Sequence, residues 1–390
     1  MIKKIFIIAG EASGDLLGSK FLDELAKNSG YQFQIIGVGG DNIKKSGKQF
    51  GFQSIFPLED LSVMGLFEII PHLPKLIKRI NFTVEKIIEF APDYLITIDS
   101  PDFCFRVLKK LKKTSSFGQI KKIHFIAPSV WAYREGRAKK VSQLYDLLFA
   151  ILPFEPPYFE KYGLKTVFIG HPLVDNPPNF SEQKNHNDNF KKTYQLLEDD
   201  KLILLTPGSR IGEVKKIFPE FIEAINLLKN HIHNLKVIIP VVRKTHDLVK
   251  QLANNIKVPY VLITQEQKKS ALFATNFAIA KSGTNAVEIS LYNIPLIIAY
   301  KINRLTHFFI KRMVKIRFAN LLNLLANQEI IPELLQDKCN PQNICDNILY
   351  LIKNDQEAKL QIQQAHQSLK KMGLNSIRNP MEIAVAEILK

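Results

Sequence analysis

Lys4-Ile-Phe-Ile-Ile-Ala9-Gly10-Glu11-Ala-Ser13-Gly14-Asp15 joins a short apolar, β-branched run to a turn of small residues that opens a helix. A buried strand, a glycine turn and an amphipathic helix make the first half of a βαβ unit, and the rest of the chain repeats that rhythm. Strands are expected at 4–9, 34–39, 94–98, 123–127, 147–152 and 167–170. A polar stretch rich in Asn and Pro follows at 176–188, whose composition suits a surface link. The rhythm then restarts, with strands expected at 202–206, 236–240, 260–264, 277–280 and 296–299. The fold class is therefore α/β, with two doubly wound, Rossmann-like parallel sheets and an interdomain cleft at the carboxyl ends of their strands. The expected boundaries are 1–172, 173–365 and a helical segment at 366–390 that packs back on the first domain.

The chain has 390 residues, 46% hydrophobic and 23% charged, enough for two cores. Three scattered cysteines, Cys104, Cys339 and Cys345, neither pair into a disulfide framework nor show metal-ligand spacing. The first ten residues carry two lysines, at 3 and 4, but their apolar run is too short for a signal peptide and meets Glu11 at once. Nothing approaches the roughly 18 uninterrupted apolar residues of a spanning helix. The net charge of +16 points to an anionic partner: nucleic acid, phosphorylated small molecules or lipid. No helix-turn-helix, zinc-finger or RNP-type pattern supports nucleic acid.

Five stretches carry chemistry. The turn 10–15 crowds Glu11, Ser13 and Asp15 at a helix start, where free backbone N–H groups favour an anion or polar group; its spacing is neither a dinucleotide fingerprint nor a nucleoside-triphosphate loop. The strand 94–98 ends in Asp99-Ser-Pro-Asp102. A carboxylate there faces the ligand crevice, so Asp99 is a candidate general base, while Asp102 is either a second carboxylate or a helix cap. The stretch 127–137 holds the chain's one tryptophan, Trp131, beside Arg134 and Arg137, a set suited to a sugar face and a phosphate. In the second half, Gly208-Ser209-Arg210 repeats the strand, turn, helix plan, with Arg210 as a bidentate diphosphate ligand. Ser282-Gly283-Thr284 is a second such turn, with Glu288 one helical turn in, able to accept from ribose hydroxyls. Two further segments, 61–79 and 301–318, interleave large apolar residues with Lys and Arg as interfacial helices do, and a lipid surface would account for part of the charge.

Gly10-Glu-Ala-Ser-Gly-Asp15, Leu61-Ser-Val-Met-Gly65, Ile98-Asp-Ser-Pro-Asp-Phe103, Pro128-Ser-Val-Trp-Ala132, Leu152-Pro-Phe-Glu155, Phe168-Ile-Gly-His171, Pro207-Gly-Ser-Arg210 and Ser282-Gly-Thr284 occur in one order, nearly end to end. Together they resemble the lipid-A-disaccharide synthase family. The resemblance implies an inverting, metal-independent glycosyltransferase of the glycosyltransferase-B fold, needing no cofactor. It would join UDP-2,3-diacylglucosamine to 2,3-diacylglucosamine 1-phosphate through a β-1,6 link and release UDP. It implies Asp99 as the base toward the acceptor 6-hydroxyl, with Glu11, Ser13 and Asp102 beside it. Gly208, Ser209, Arg210, Ser282, Gly283, Thr284, Glu288 and Asn323 would hold UDP. It also implies a peripheral place on the cytoplasmic face of the inner membrane, and a homodimer that exchanges segments near Asn320–Ala326. The chain departs from the family's pattern at Cys104, usually asparagine, and at Leu322, Asn327 and Gln328, usually proline, glycine and a basic residue. The alternatives within the fold are a UDP-N-acetylglucosamine 2-epimerase and the transferase of peptidoglycan assembly.

Overall fold

The structure, a computed structural model, describes residues 2–27, 30–61, 73–132, 135–303 and 316–390. The chain divides into two compact units, Met1–Asp175 with Ser376–Lys390, and Asn176–Asn375.

The first unit holds six parallel strands: β1 (Ile2–Ala9), β2 (Gln32–Val38), β3 (Tyr94–Ile98), β4 (Lys121–Phe125), β5 (Leu147–Ala150) and β6 (Lys165–Phe168), in the order β2-β1-β3-β4-β5-β6. Period-two alternation divides β1 between two cores. Phe6 and Ile8 pack with Leu95, Val107 and Leu108, whereas Ile5, Ile7 and Ala9 pack with Phe21, Leu25 and Ile96. Helices cover both faces, which is why the strands read as unbroken apolar runs. The second core also takes Met381, Ala384, Val385 and Ile388 from the helix Pro380–Leu389, started by Asn379, whose side chain accepts from the Met381 N–H at 2.7 Å. Lys121 donates to the Ile388 carbonyl at 3.1 Å and Lys165 pairs with Glu387, fixing this helix to the sheet.

The second unit repeats the plan with β7 (Lys201–Thr206), β8 (Leu235–Pro240), β9 (Tyr260–Ile263), β10 (Phe277–Ala280), β11 (Leu296–Tyr300) and β12 (Glu333–Leu335), in the order β12-β11-β10-β7-β8-β9, again parallel. Each strand expected from the sequence forms within two residues of its expected start and end. β12 was not expected, because three residues are too few to show a period.

Two boundaries change, the first from 172 to Asp175 and the second from 365 to Asn375. Residues 366–375 belong to the second unit: Gln361 exchanges hydrogen bonds with the Leu296 backbone at 2.7 and 3.1 Å, and Ser368 and Lys371 donate to the Leu322 and Leu325 carbonyls. The segment that returns to the first unit therefore starts at Ser376. The expected link at 176–188 runs instead into the helix Gln183–Thr193. Its polar composition is offset by contacts with the helix Lys268–Ala274: His186 stacks on Phe273 with centroids 5.3 Å apart and shares a 2.9 Å hydrogen bond with Ser270, and Phe190 is buried. Among the described residues no helix is long and apolar enough to cross a membrane.

Candidate active site

In each sheet the chain leaves its first strand for one side and later returns to the other, so a switch point opens between β1 and β3 and a second between β7 and β10. Loops at the carboxyl ends of such strand pairs diverge and leave a crevice. All but one of the residues singled out as catalytic or nucleotide-binding lie on these loops or on the helices that start from them.

In the first unit, the turn after β1 and the turn after β3 touch. Ser13 donates its hydroxyl to Asp99 Oδ2 at 3.0 Å, and the Ser100 N–H donates to Asp99 Oδ1 at 2.8 Å, so both carboxylate oxygens are fixed. The approach needs glycine at position 10: a Cβ there would lie 2.2 Å from Ser100 Oγ. Asp99 and Ser100 are both left-handed, at φ 54° and 46°, and Ile126 at the end of β4 has φ 74°. Non-glycine residues rarely adopt such angles, least of all a β-branched one, and they gather where a fold holds a side chain against its local preference. All three strained positions adjoin one cleft of about 230 Å³, lined by Asp99, Ile126, Ala127, Pro128, Ser129 and Arg137 among others. Cys104, at the family's asparagine position, is buried and directs its thiol to the Asp99 carbonyl at 3.5 Å, and burial pushes that thiol well up.

Asp102 does not cap its helix; it pairs with Arg137 at 3.0 Å. Glu11 occupies the N-cap of the helix Ala12–Ala26 without a side-chain cap bond. Asp15, from the same turn, is 3% exposed and accepts from the Gly40, Asn42 and Ile43 N–H groups, fastening the loop after β2. Its role is structural. Trp131 donates to Glu155 at 3.0 Å, joining two of the quoted motifs. Burial pushes the Glu155 carboxyl up to about 7 against three N–H donors, Leu152, Trp131 and Ile151. Arg134 lies outside the described residues.

In the second unit, Gly208 turns at φ 110° and Gly283 at φ 137°, values open to glycine. The Lys281 N–H donates to the Thr206 carbonyl at 3.2 Å, so the two turns lie side by side, each opening a helix, Ile211–Leu228 and Thr284–Leu291. Ser209 and Thr284 are exposed, and the Arg210 side chain is 71% exposed with only a 3.7 Å approach to Glu213. Lys281 and Glu213, absent from the sequence reading, pair at 3.2 Å across the gap between the turns. Spacing does not reveal them, since the pairing exists only once β7 and β10 are neighbours. Glu288 is held by Lys268 at 2.5 Å. Ser282 donates to the Ala319 carbonyl at 3.1 Å.

Asn323 is corrected. It is fully buried, its amide donates to the Ile331 carbonyl and Glu333, and its oxygen accepts from the Ile330 and Ile331 N–H groups. No hydrogen-bonding capacity remains for a nucleotide. Together with Glu333 of β12, which also accepts from the Ala319 and Asn320 N–H groups, it braces the corner that Ser282 leans on. Asn327, in the family's glycine place, ends the helix Leu321–Ala326 at φ 56°, which asparagine tolerates. The apolar-basic segments fall mostly at 62–72 and 304–315, outside the described residues; at their edge Asp60 binds Lys75 and Arg79 at 2.5 Å each.

A family model described as lipid-A-disaccharide synthetase matches residues 5–388. A lipid-A-disaccharide synthase of Rickettsia bellii is 40% identical over 387 residues, covering 98% of this chain and 97% of that protein. Among solved structures, a UDP-GlcNAc 2-epimerase of Neisseria meningitidis bound to UDP-GlcNAc superposes with TM-score 0.61 at 13% identity, over 100% of this chain and 98% of the other. A glycosyltransferase of Rickettsia africae gives 0.60 at 16% identity, over 99% and 97%. At these identities the structural likeness speaks for the fold alone.

Proposed function

Given that the chain belongs to the lipid-A-disaccharide synthase family, a family of glycosyltransferases, we propose how its residues divide the reaction. The acceptor sits at the β1/β3 switch point and the UDP moiety of the donor at the β7/β10 switch point. The acceptor 6-hydroxyl gives its proton to Asp99 as its oxygen attacks the anomeric carbon from the face opposite the diphosphate. The bond from that carbon to the diphosphate oxygen breaks with its electron pair on UDP, and the configuration inverts. Ser13 and the Ser100 N–H keep the carboxylate aimed. Arg210, Lys281 and the N–H groups of the turns at Gly208 and Gly283 meet the charge that grows on the leaving diphosphate. Glu288 faces the ribose.

The observation that carries this reading is the Asp99 carboxylate, fixed at both oxygens in a strained turn and lining the cleft at the first switch point. An epimerase shares the fold, but end-to-end identity lies with the synthases. Incubation with both acylated glucosamine substrates tests it: a disaccharide phosphate and one UDP per disaccharide are expected, with no UDP released when the acceptor is withheld. UDP release without acceptor, or epimerised sugar, would contradict it.

We also assign the enzyme to an anionic lipid surface through 61–79 and 301–318, supported by the +16 net charge and by where the cations lie in these segments. Flotation with anionic vesicles should carry the protein at low salt, and paired changes to serine among Leu66, Phe67, Ile69 and Ile70 should release it still folded. Unfolding on those changes, or no flotation of the unaltered protein, would remove the assignment.

A further inference from the structure

We infer that Arg137 binds the phosphate of the acceptor, in the cleft that also holds Asp99, and that Asp102 is the counter-ion it releases when that phosphate arrives. The inference rests on the acceptor being a glucosamine phosphate.

The cleft has a volume of about 230 Å³, below the roughly 300–1,000 Å³ of sites for drug-sized ligands, which suits one sugar ring whose acyl chains run outside it. Its lining is mostly apolar and backbone, from Ile126, Ala127 and Pro128, with three polar side chains, Asp99, Ser129 and Arg137. Arg137 is the cation among its described lining residues. In a glucosamine 1-phosphate the carbon bearing the phosphate and the carbon bearing the 6-hydroxymethyl group are both bonded to the ring oxygen, so hydroxyl and phosphate lie within the reach of one ring. A cleft of ring size with a carboxylate base and a guanidinium in its wall matches that pattern.

Arg137 is held ready for a stronger partner than the one it has. Its guanidinium carbon lies 5.1 Å from the centroid of the buried Phe105 ring, a cation–π contact that helps hold the group in the cleft wall. The side chain is 28% exposed, so part of it remains accessible from the cleft and solvent. Its ion pair with Asp102 is a single contact at 3.0 Å, and the Asp102 side chain is 90% exposed. Such a solvated, one-point pair is weak. A phosphate offers three oxygens and takes two parallel N–H bonds from one guanidinium, which a one-point carboxylate contact does not equal. Arg137 also offsets the repulsion that Asp99 and Asp102 would exert on an incoming phosphate.

The test compares the acylated glucosamine 1-phosphate acceptor with the same molecule lacking phosphate, for the unaltered enzyme, Arg137→Met, Arg137→Lys and Asp102→Asn. Arg137→Met should raise KM for the phosphorylated acceptor by at least about 10-fold, the scale of a lost charged hydrogen bond. KM for the donor and for the dephosphorylated acceptor should stay unchanged, and Arg137→Lys should recover part of the loss. Asp102→Asn should lower KM for the phosphorylated acceptor alone, and it carries the test if Arg137→Met does not fold. An undiminished preference for the phosphorylated acceptor in Arg137→Met, or equal losses with both acceptors, would overturn the inference. So would an unchanged or raised KM in Asp102→Asn. If the unaltered enzyme makes no disaccharide from either acceptor, the reaction fails first and this inference with it; disaccharide formation with no effect of Arg137 removes the inference alone.

Discussion

Among single residues, the buried histidines make the clearest physical statement. His124 on β4 is fully buried; its Nδ1 shares a 2.7 Å hydrogen bond with Thr97, and its Nε2 has no hydrogen-bond partner among the described residues. Burial brings its pKa down to about 3, and brings that of His171 down to about 4. The unfolded chain takes a proton on His124 below about pH 6.5 that the folded chain refuses until about pH 3. The stability supplied by the neutral ring is thus complete above pH 6.5 and is lost as pH falls toward 3, at about 1.4 kcal/mol per pH unit. Glu155 acts in the other direction, since its raised pKa removes stability as pH rises from about 4.5 to about 7. Comparison with His124→Gln isolates the histidine. The stability of the unaltered protein minus that of the variant should fall by about 1.4 kcal/mol for each unit from pH 6.5 to 4.5 in denaturant titrations. A constant difference would mean that the imidazole takes its proton within the fold.

At the scale of elements, the sequence was legible wherever a pattern repeats and opaque wherever a partner decides. Strands such as β3 and β10 are unbroken apolar runs between polar turns, and their limits could be read to the residue. The helix Gln183–Thr193 was hidden because its ordering comes from Phe273 and Ser270, some eighty residues away. β12 was hidden because its residues show no period, yet its Glu333 fastens the corner behind Ser282. The turns at Gly10, Asp99, Gly208 and Ser282 were visible as small residues after strands. Their adjacency in pairs was not, because it depends on strand order, which brings β1 beside β3 and β7 beside β10. The same order explains why the pairing of Lys281 with Glu213 is not legible in sequence. Asn323 is given to nucleotide by the family resemblance alone, and nothing in the sequence shows that Ile330, Ile331 and Glu333 take all of its hydrogen bonds.

At the scale of the whole chain, each of two sheets built on one plan carries a site of its own, with the Asp99 carboxylate held at the first switch point and the exposed Arg210 beside the Lys281–Glu213 pair at the second. That division is what sugar transfer from a nucleotide requires, a base for the incoming hydroxyl and positive charge for the departing diphosphate. The central claim is that Asp99 is the base, and it is tested most directly by the turnover of Asp99→Ala beside its affinity for UDP. Loss of the base should lower kcat at least about 100-fold while UDP binds with unchanged affinity and Asp102→Ala keeps most of its turnover. Near-normal turnover of Asp99→Ala, or a fall matched by lost UDP affinity, would contradict the account.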